Sequence, residues 1–202
     1  MHFFKQGNST CNKFQGIGHY RDTKTIKETT MKRIFCAAIA ALTLFSFTAC
    51  QKEPAPKEFT AEELKPIFQE AITAARDEEI NQVLPILSSS EDEGGALIFD
   101  MVGLTDEDIK AAGISISPMN IKAYGVAIIA PAEGKTEAVQ TGLDNFVKAQ
   151  QQSFANYLPD QGEIANSAIL TTREDGIIVL VMCEDAQTVY DSITATLDEK
   201  LK

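Results

Sequence analysis

A short apolar run near the start of the chain constrains the rest of it most strongly. Lys32 and Arg33 precede an uncharged, mostly apolar stretch at residues 34–47, which is 14 residues long. A helix that spans a bilayer needs about 20 apolar residues. A positively charged start followed by a shorter apolar run is typical of a secretory signal peptide. We therefore interpret residues 31–49 as a signal peptide.

The run ends at Phe47-Thr48-Ala49-Cys50, where small residues stand directly before a cysteine. This ending resembles a bacterial lipobox, although the third position before the cysteine, usually Leu, is Phe47. The resemblance implies that a diacylglyceryl group is joined to the thiol of Cys50 and that signal peptidase II cuts between Ala49 and Cys50. The alternatives are a secretory signal without lipid and a membrane anchor.

Lipid on Cys50 predicts where the protein resides. Two acyl chains bury many methylenes at about 0.8 kcal/mol each, and two chains are what stable anchoring requires. Residues 51–58 (QKEPAPKE) contain Pro54 and Pro56, which favour an extended spacer. We therefore expect residues 50–58 to be a lipidated cysteine and a tether. We expect the protein to be lipid-anchored on the extracytoplasmic face of the cell membrane.

Residues 1–30 precede the signal peptide and admit two interpretations. The segment is polar, lacks helical or alternating periodicity, and contains both histidines of the chain, His2 and His19. Lys27-Glu28 can be encoded as AAG-GAG, a strong ribosome-binding sequence, which places the start of translation at Met31. The other interpretation is a real, disordered N-terminal extension.

The composition of residues 50–202 limits the chemistry of the folded part. These 153 residues, about one domain in length, carry 11 Lys and Arg against 27 Asp and Glu, a net charge of −16. This charge opposes nucleic-acid binding, which needs clustered cations. The lack of histidine there excludes histidine bases, Ser-His-Asp arrangements and histidine metal sites. Because Cys183 is the one cysteine after Cys50, we expect no intramolecular disulfide.

Residues 59–202 predict a single α+β domain. We expect a small, mainly antiparallel sheet of about three strands with one hairpin, packed against several helices including one long helix. Apolar periodicity, capping boxes and one Asp-Gly turn are the signals. The expected helices run from Thr60 to before Pro85, from Thr105 to Gly113, over 136–158, and onward from Asp185; the expected strands cover 124–130, 165–172 and 177–183, and residues 97–102 fit either a helical turn or a strand.

Several of these elements occur together in a pattern that resembles a known family. They are the strand-like YGVAIIA at 124–130, the long helix ending at Tyr157-Leu158-Pro159, Asn166, the hairpin glycine Gly176 and the strand at 177–182. Residues 103–201 are similar in this way to uncharacterised lipoproteins, mostly from Gram-positive anaerobes, that carry a domain of unknown function. The lipobox leader fits the same family. The resemblance implies no known activity, substrate or cofactor.

Acidic groups are the first candidates for a site. Glu91-Asp92-Glu93 before two glycines could bind Ca²⁺, which prefers clustered carboxylates on a flexible loop. Adjacent acids do not converge as alternating ligands do, so a solvated loop is the simpler interpretation. Asp106-Glu107-Asp108 fits stabilisation of a helix N-terminus.

The remaining candidates are one thiol, two lysines and three aromatic residues. Cys183 could be a nucleophile, but Glu184 and Asp185 oppose a lowered pKa, so we expect a buried core residue. Nothing in the spacing selects Lys122 or Lys148 as a base. Phe146, Phe154 and Tyr157 could line a ligand groove, although helical spacing favours core positions.

These observations predict a non-enzymatic interaction module for an unknown envelope protein or peptide, with no cofactor, no metal and no catalytic residue. The first alternative is an extracytoplasmic small-molecule or cation-binding protein, and the second is a carboxylate-based hydrolase. An exposed apolar patch favours the interaction module, a deep apolar pocket favours small-molecule binding, and two acids brought together in a pocket favour the hydrolase.

Overall fold

The computed structural model describes residues 58–202. The predictions for residues 1–30, for the signal peptide at 31–49, for Cys50 and for residues 51–57 of the tether lie outside this part. The helices are α1 Ala61–Ala75, α2 Glu78–Val83, α3 Gly95–Val102, α4 Thr136–Phe154, α5 Pro159–Asn166 and α6 Ala186–Lys200, and the strands are β1 Ile109–Ile116, β2 Gly125–Pro131, β3 Ile169–Thr172 and β4 Ile178–Met182.

The four strands form one antiparallel sheet in the order β1-β2-β4-β3. The predicted α+β class is therefore confirmed, with four strands in place of about three. Within residues 58–202, no helix combines the length and apolar character needed to cross a membrane.

Helices cover both faces of the sheet, and side chains alternate between two separate cores. On β2, Ala127 and Ile129 enter the core beneath α3, α4 and α5. Val126 and Ile128, which point the other way, enter the core beneath α1 and α6. The sequence of a strand that is buried on both faces is a nearly continuous run of apolar residues. This explains why the sequences of β2 and β4 lack polar alternation.

The predicted first helix divides into two. The capping box is present as expected, because the Thr60 hydroxyl accepts from the Glu63 backbone N–H (3.3 Å) and the Glu63 carboxylate accepts from the Thr60 N–H (2.8 Å). Helix α1 then ends at Ala75, and Arg76 is extended. The Arg76 guanidinium donates to Asn81, to the Leu84 carbonyl and to the buried Ser115 hydroxyl on β1. These bonds fix the break between α1 and α2.

The short helix predicted from Thr105 to Gly113 is wrong. Its capping box forms, but it starts only a 3₁₀ turn at Asp106–Asp108, and strand β1 follows at once. The pattern was misleading because β1 is buried on both faces over most of its length and so shows no alternation. Gly113 lies inside β1, where an added Cβ would be 3.2 Å from Phe68 Cβ and from Ile72 Cδ1. Its lack of a side chain lets α1 pack on the sheet.

The remaining boundaries shift for identifiable reasons. The long helix stops at Phe154, and Pro159 starts α5 at a position where its missing N–H costs nothing. Ala165 belongs to α5, so the strand predicted from there begins at Ile169. The hairpin is confirmed, with Gly176 at φ +81° in the turn. Residues 97–102 are helical and lie within α3.

We predict that Gly113→Val lowers the free energy of unfolding by about 1–3 kcal/mol, because the added methyl groups overpack the contact between α1 and β1. Urea unfolding followed by circular dichroism measures this change. Lys110→Val places the same side chain at an exposed position of the same strand and should change stability by less than about 0.5 kcal/mol. Equal effects of the two substitutions would contradict the close packing.

Candidate functional site

The outer side of the α4 layer contains an open groove of about 680 Å³ between α3 and α4, here called the α3–α4 groove. Met101, Ala138 and Ala149 are its accessible apolar residues, and the buried residues Val102 and Phe146 also border it. Exposed residues of α4 form one wall, and the end of α3 forms the other. Asp100 lies on the wall formed by α3, and Glu137 lies on the wall formed by α4.

Two glycines set the shape of the groove. Gly103 ends α3 at φ +66°, and its N–H donates to the Asp100 carbonyl (3.1 Å). A side chain on Gly142 would place its Cβ 2.5 Å from the Val102 carbonyl oxygen. Because no residue with a Cβ fits there without a shift of the backbone, Gly142 allows the end of α3 to lie directly against α4. The groove follows this contact.

The groove carries uncompensated negative charge. The carboxylates of Asp100 and Glu137 form no ion pair with any residue of 58–202. No Lys or Arg is among the residues that line the groove. The two cations nearest in sequence are already engaged, because Lys135 pairs with Asp108 at 2.9 Å and Lys148 pairs with Asp144.

The three aromatic candidates separate in the structure. Phe146 is a core residue at 3% exposure that also borders the groove, and its ring packs toward Gly125 of β2. Phe154 is fully buried, and Tyr157 is 63% exposed on the connection between α4 and α5. Sequence reasoning missed Gly142 and the small residues of α4 beside it. Their spacing along the chain indicates that they share one face of the helix. It does not show whether that face is exposed to solvent or packs against another helix.

The acidic loop at 91–93 forms a turn. The Asp92 carboxylate accepts from the backbone N–H groups of Ser88 (2.6 Å) and Ser89 (3.0 Å), while Glu91 and Glu93 are exposed. Across the part of the chain that the structure describes, no group of three or more acidic or sulfur ligands is placed to hold a metal ion.

The second acidic cluster forms a 3₁₀ turn and not the helix N-terminus that was expected, and it has a structural role at two of its positions. Asp106 accepts hydrogen bonds from the Ser90 hydroxyl and backbone N–H, which lower its pKa. The Lys135 ammonium and the Thr105 hydroxyl and N–H lower the pKa of Asp108 to about 2. Both carboxylates are therefore ionised at neutral pH and tie the loop before β1 to its neighbours.

The thiol of Cys183 is unsuited to nucleophilic chemistry. The residue is buried at the end of β4, and burial raises the pKa of the thiol to about 11. The expectation of a core residue is confirmed. Of the candidate bases, Lys148 is held in its ion pair with Asp144, and Lys122 is exposed on the connection between β1 and β2.

A smaller cavity of about 320 Å³ lies beside the start of β1. Lys65 and Lys110 line it together with Glu91 and Asp106, so both signs of charge meet there. Neither lysine forms an ion pair with any residue of the described part. The arrangement suits a small polar molecule that carries both charges.

The fold and the groove define an α+β domain without a recognised catalytic arrangement among its described residues. Residues 88–183 match the model of a family described as a domain of unknown function, DUF4358. All residues that line the α3–α4 groove lie within this stretch. No curated protein matches the chain, and no solved structure matches it.

We predict that Asp108→Asn reduces the loss of stability on acidification. The pKa of Asp108 is depressed in the folded state, from 3.8 to about 2. Its stabilising contribution is therefore present above about pH 4 and is lost as the pH falls from there toward 2. Urea unfolding at a series of pH values from 7 to 2 measures the difference. Asp144→Asn, in a more exposed pair, is the control with a smaller effect, and identical pH profiles for Asp108→Asn and the unaltered chain would refute the assignment.

Proposed function

We propose that this protein is a membrane-anchored, extracytoplasmic lipoprotein whose domain is a non-enzymatic interaction module for a protein or peptide of the cell envelope. The open α3–α4 groove is the observation that carries the proposal, because it combines apolar surface with unpaired charge on a solvent-facing side. The leader at 31–49 and Cys50 support the anchor. Residues 51–58 would hold the domain away from the bilayer.

The groove supports binding better than it supports hydrolysis. A pair of catalytic carboxyls works when one is enclosed enough to remain protonated and the other stays ionised. Asp100 and Glu137 both belong to exposed positions. Exposed acids at the edge of apolar surface resemble instead the polar rim of a protein interface.

A second candidate function is the binding of a small polar molecule. The cavity that contains Lys65, Lys110 and Asp106 supports it, because it brings together two lysines without an ion pair in the described residues and a carboxylate. Its volume suits a ligand the size of an amino acid, whereas the α3–α4 groove is larger and more open.

We predict that cells expressing the protein incorporate a palmitate analogue into it, and that Cys50→Ala abolishes the label. The reason is that the resemblance to a lipobox makes Cys50 the attachment point. In-gel fluorescence after coupling of the analogue measures the label. Cys183→Ala is the matched control and should retain it, since that thiol is buried in the folded domain. Label retained in Cys50→Ala would refute the anchor.

We predict that crosslinking on intact cells captures a reproducible protein partner, and that Ala138→Trp with Ala149→Trp lowers the capture about tenfold by filling the groove. Quantitative mass spectrometry of the captured material measures this. Thr188→Trp, at an exposed position of α6 on the other side of the sheet, is the control and should leave capture unchanged. Absence of capture, together with a melting temperature that rises with a metal or metabolite, would favour the second candidate.

A further inference from the structure

The wall of the α3–α4 groove that α4 supplies has the periodicity of a helix-packing surface. Ala138, Thr141, Asn145 and Ala149 are separated by three, four and four residues, so they lie on one face of the helix. All four are exposed and none is large. At 1.5 Å per residue this face is about 16 Å long, which matches about three turns of a second helix.

The opposite wall adds apolar surface in line with the groove. Met101 lines the groove from α3, and Leu97, one turn earlier on the same helix, is 55% exposed. Residues four apart lie on the same face of a helix. An apolar strip therefore continues from the groove along α3, as expected for a surface that receives the apolar face of an amphipathic helix.

The charges of the groove indicate which kind of helix could bind there. Asp100 and Glu137 border it without ion-pair partners in the described residues, and no cation lines it. A second copy of this chain is a poor occupant, because residues 50–202 carry a net charge of −16. An anionic membrane surface is repelled for the same reason.

We propose that the α3–α4 groove binds a basic amphipathic helix of a partner protein. The helix lays its apolar face on Met101, Ala138 and Ala149, and its Lys or Arg side chains meet Asp100 and Glu137 at the rim. This inference rests on the proposed function, since it names the class of partner for the same surface.

The test uses the full-length lipoprotein in nanodiscs of zwitterionic lipid, with empty nanodiscs as the blank. The probe is a fluorescent 18-residue peptide designed as an amphipathic helix. Leu repeats at the spacing i, i+3, i+4 and i+7 along one face, and Lys occupies the other positions. A second peptide carries Glu in place of every Lys. Fluorescence anisotropy measures binding, and circular dichroism confirms that each protein variant is folded.

The Leu/Lys peptide should bind, and the Leu/Glu peptide should not. Asp100→Lys with Glu137→Lys should weaken binding at least about tenfold. Glu174→Lys with Glu199→Lys makes the same change of net charge at exposed positions on the hairpin and on α6, and it should change binding less than about twofold. Comparison of the two double variants distinguishes binding in the groove from general attraction of a basic peptide to an acidic protein.

Three outcomes would overturn the inference: no binding of the Leu/Lys peptide, equal weakening by the two pairs of reversals, or binding of the Leu/Glu peptide with similar affinity. If cells still show groove-dependent capture of a partner in any of these cases, the interaction function stands and the class of helix is wrong. If capture on cells also fails, the proposed function fails as well.

Discussion

Burial of the sheet on both faces determines where the helices pack and which helix surfaces stay exposed. Strands β2 and β4 send alternate side chains into two cores, so helices must cover each face to exclude water. Helices α1 and α6 cover one face, and α3, α4 and α5 cover the other. One side of α4 packs against this core, and its opposite side is exposed to solvent. The α3–α4 groove lies on the exposed side.

Two glycines allow helices to pack closely at specific points of this layered arrangement. Gly113 lets α1 lie on β1, and Gly142 lets the end of α3 lie on α4. The first contact secures the domain, while the second defines the groove. Arg76 has a comparable role among the polar residues, because one guanidinium joins α1, α2 and β1.

Local signals made several elements predictable from the sequence. The Thr60 capping box, the stripe of α4 and the Asp175-Gly176 turn each depend on residues close in the chain, and each appears where expected. Strand β1 was missed because burial on both faces removes the alternation that marks a strand. Likewise, the sequence predicts that Pro159 ends the long helix, whereas in the structure it begins α5, a position that proline favours.

The site was less predictable than the fold, since it depends on which faces remain unpartnered. The sequence predicts Phe146 as a possible groove residue. It does not predict that Gly142 and Asp100 lie at the groove, because their position depends on the packing of α3 against α4. The thiol of Cys183 could be judged from the sequence, because the acidic residues that follow it oppose a reactive thiolate. The partners of Asp106 and Asp108 could not, because Ser90 and Lys135 lie far from them in the chain.

We propose that a partner protein occupies the α3–α4 groove. Site-specific photo-crosslinking in intact cells can locate that partner, with a photoreactive phenylalanine analogue placed at Asn145 in the groove or at Thr188 on α6. Occupancy of the groove should give a discrete, light-dependent adduct with one partner protein from position 145 and none from position 188. The same adduct from position 188, or no adduct from position 145, would contradict it.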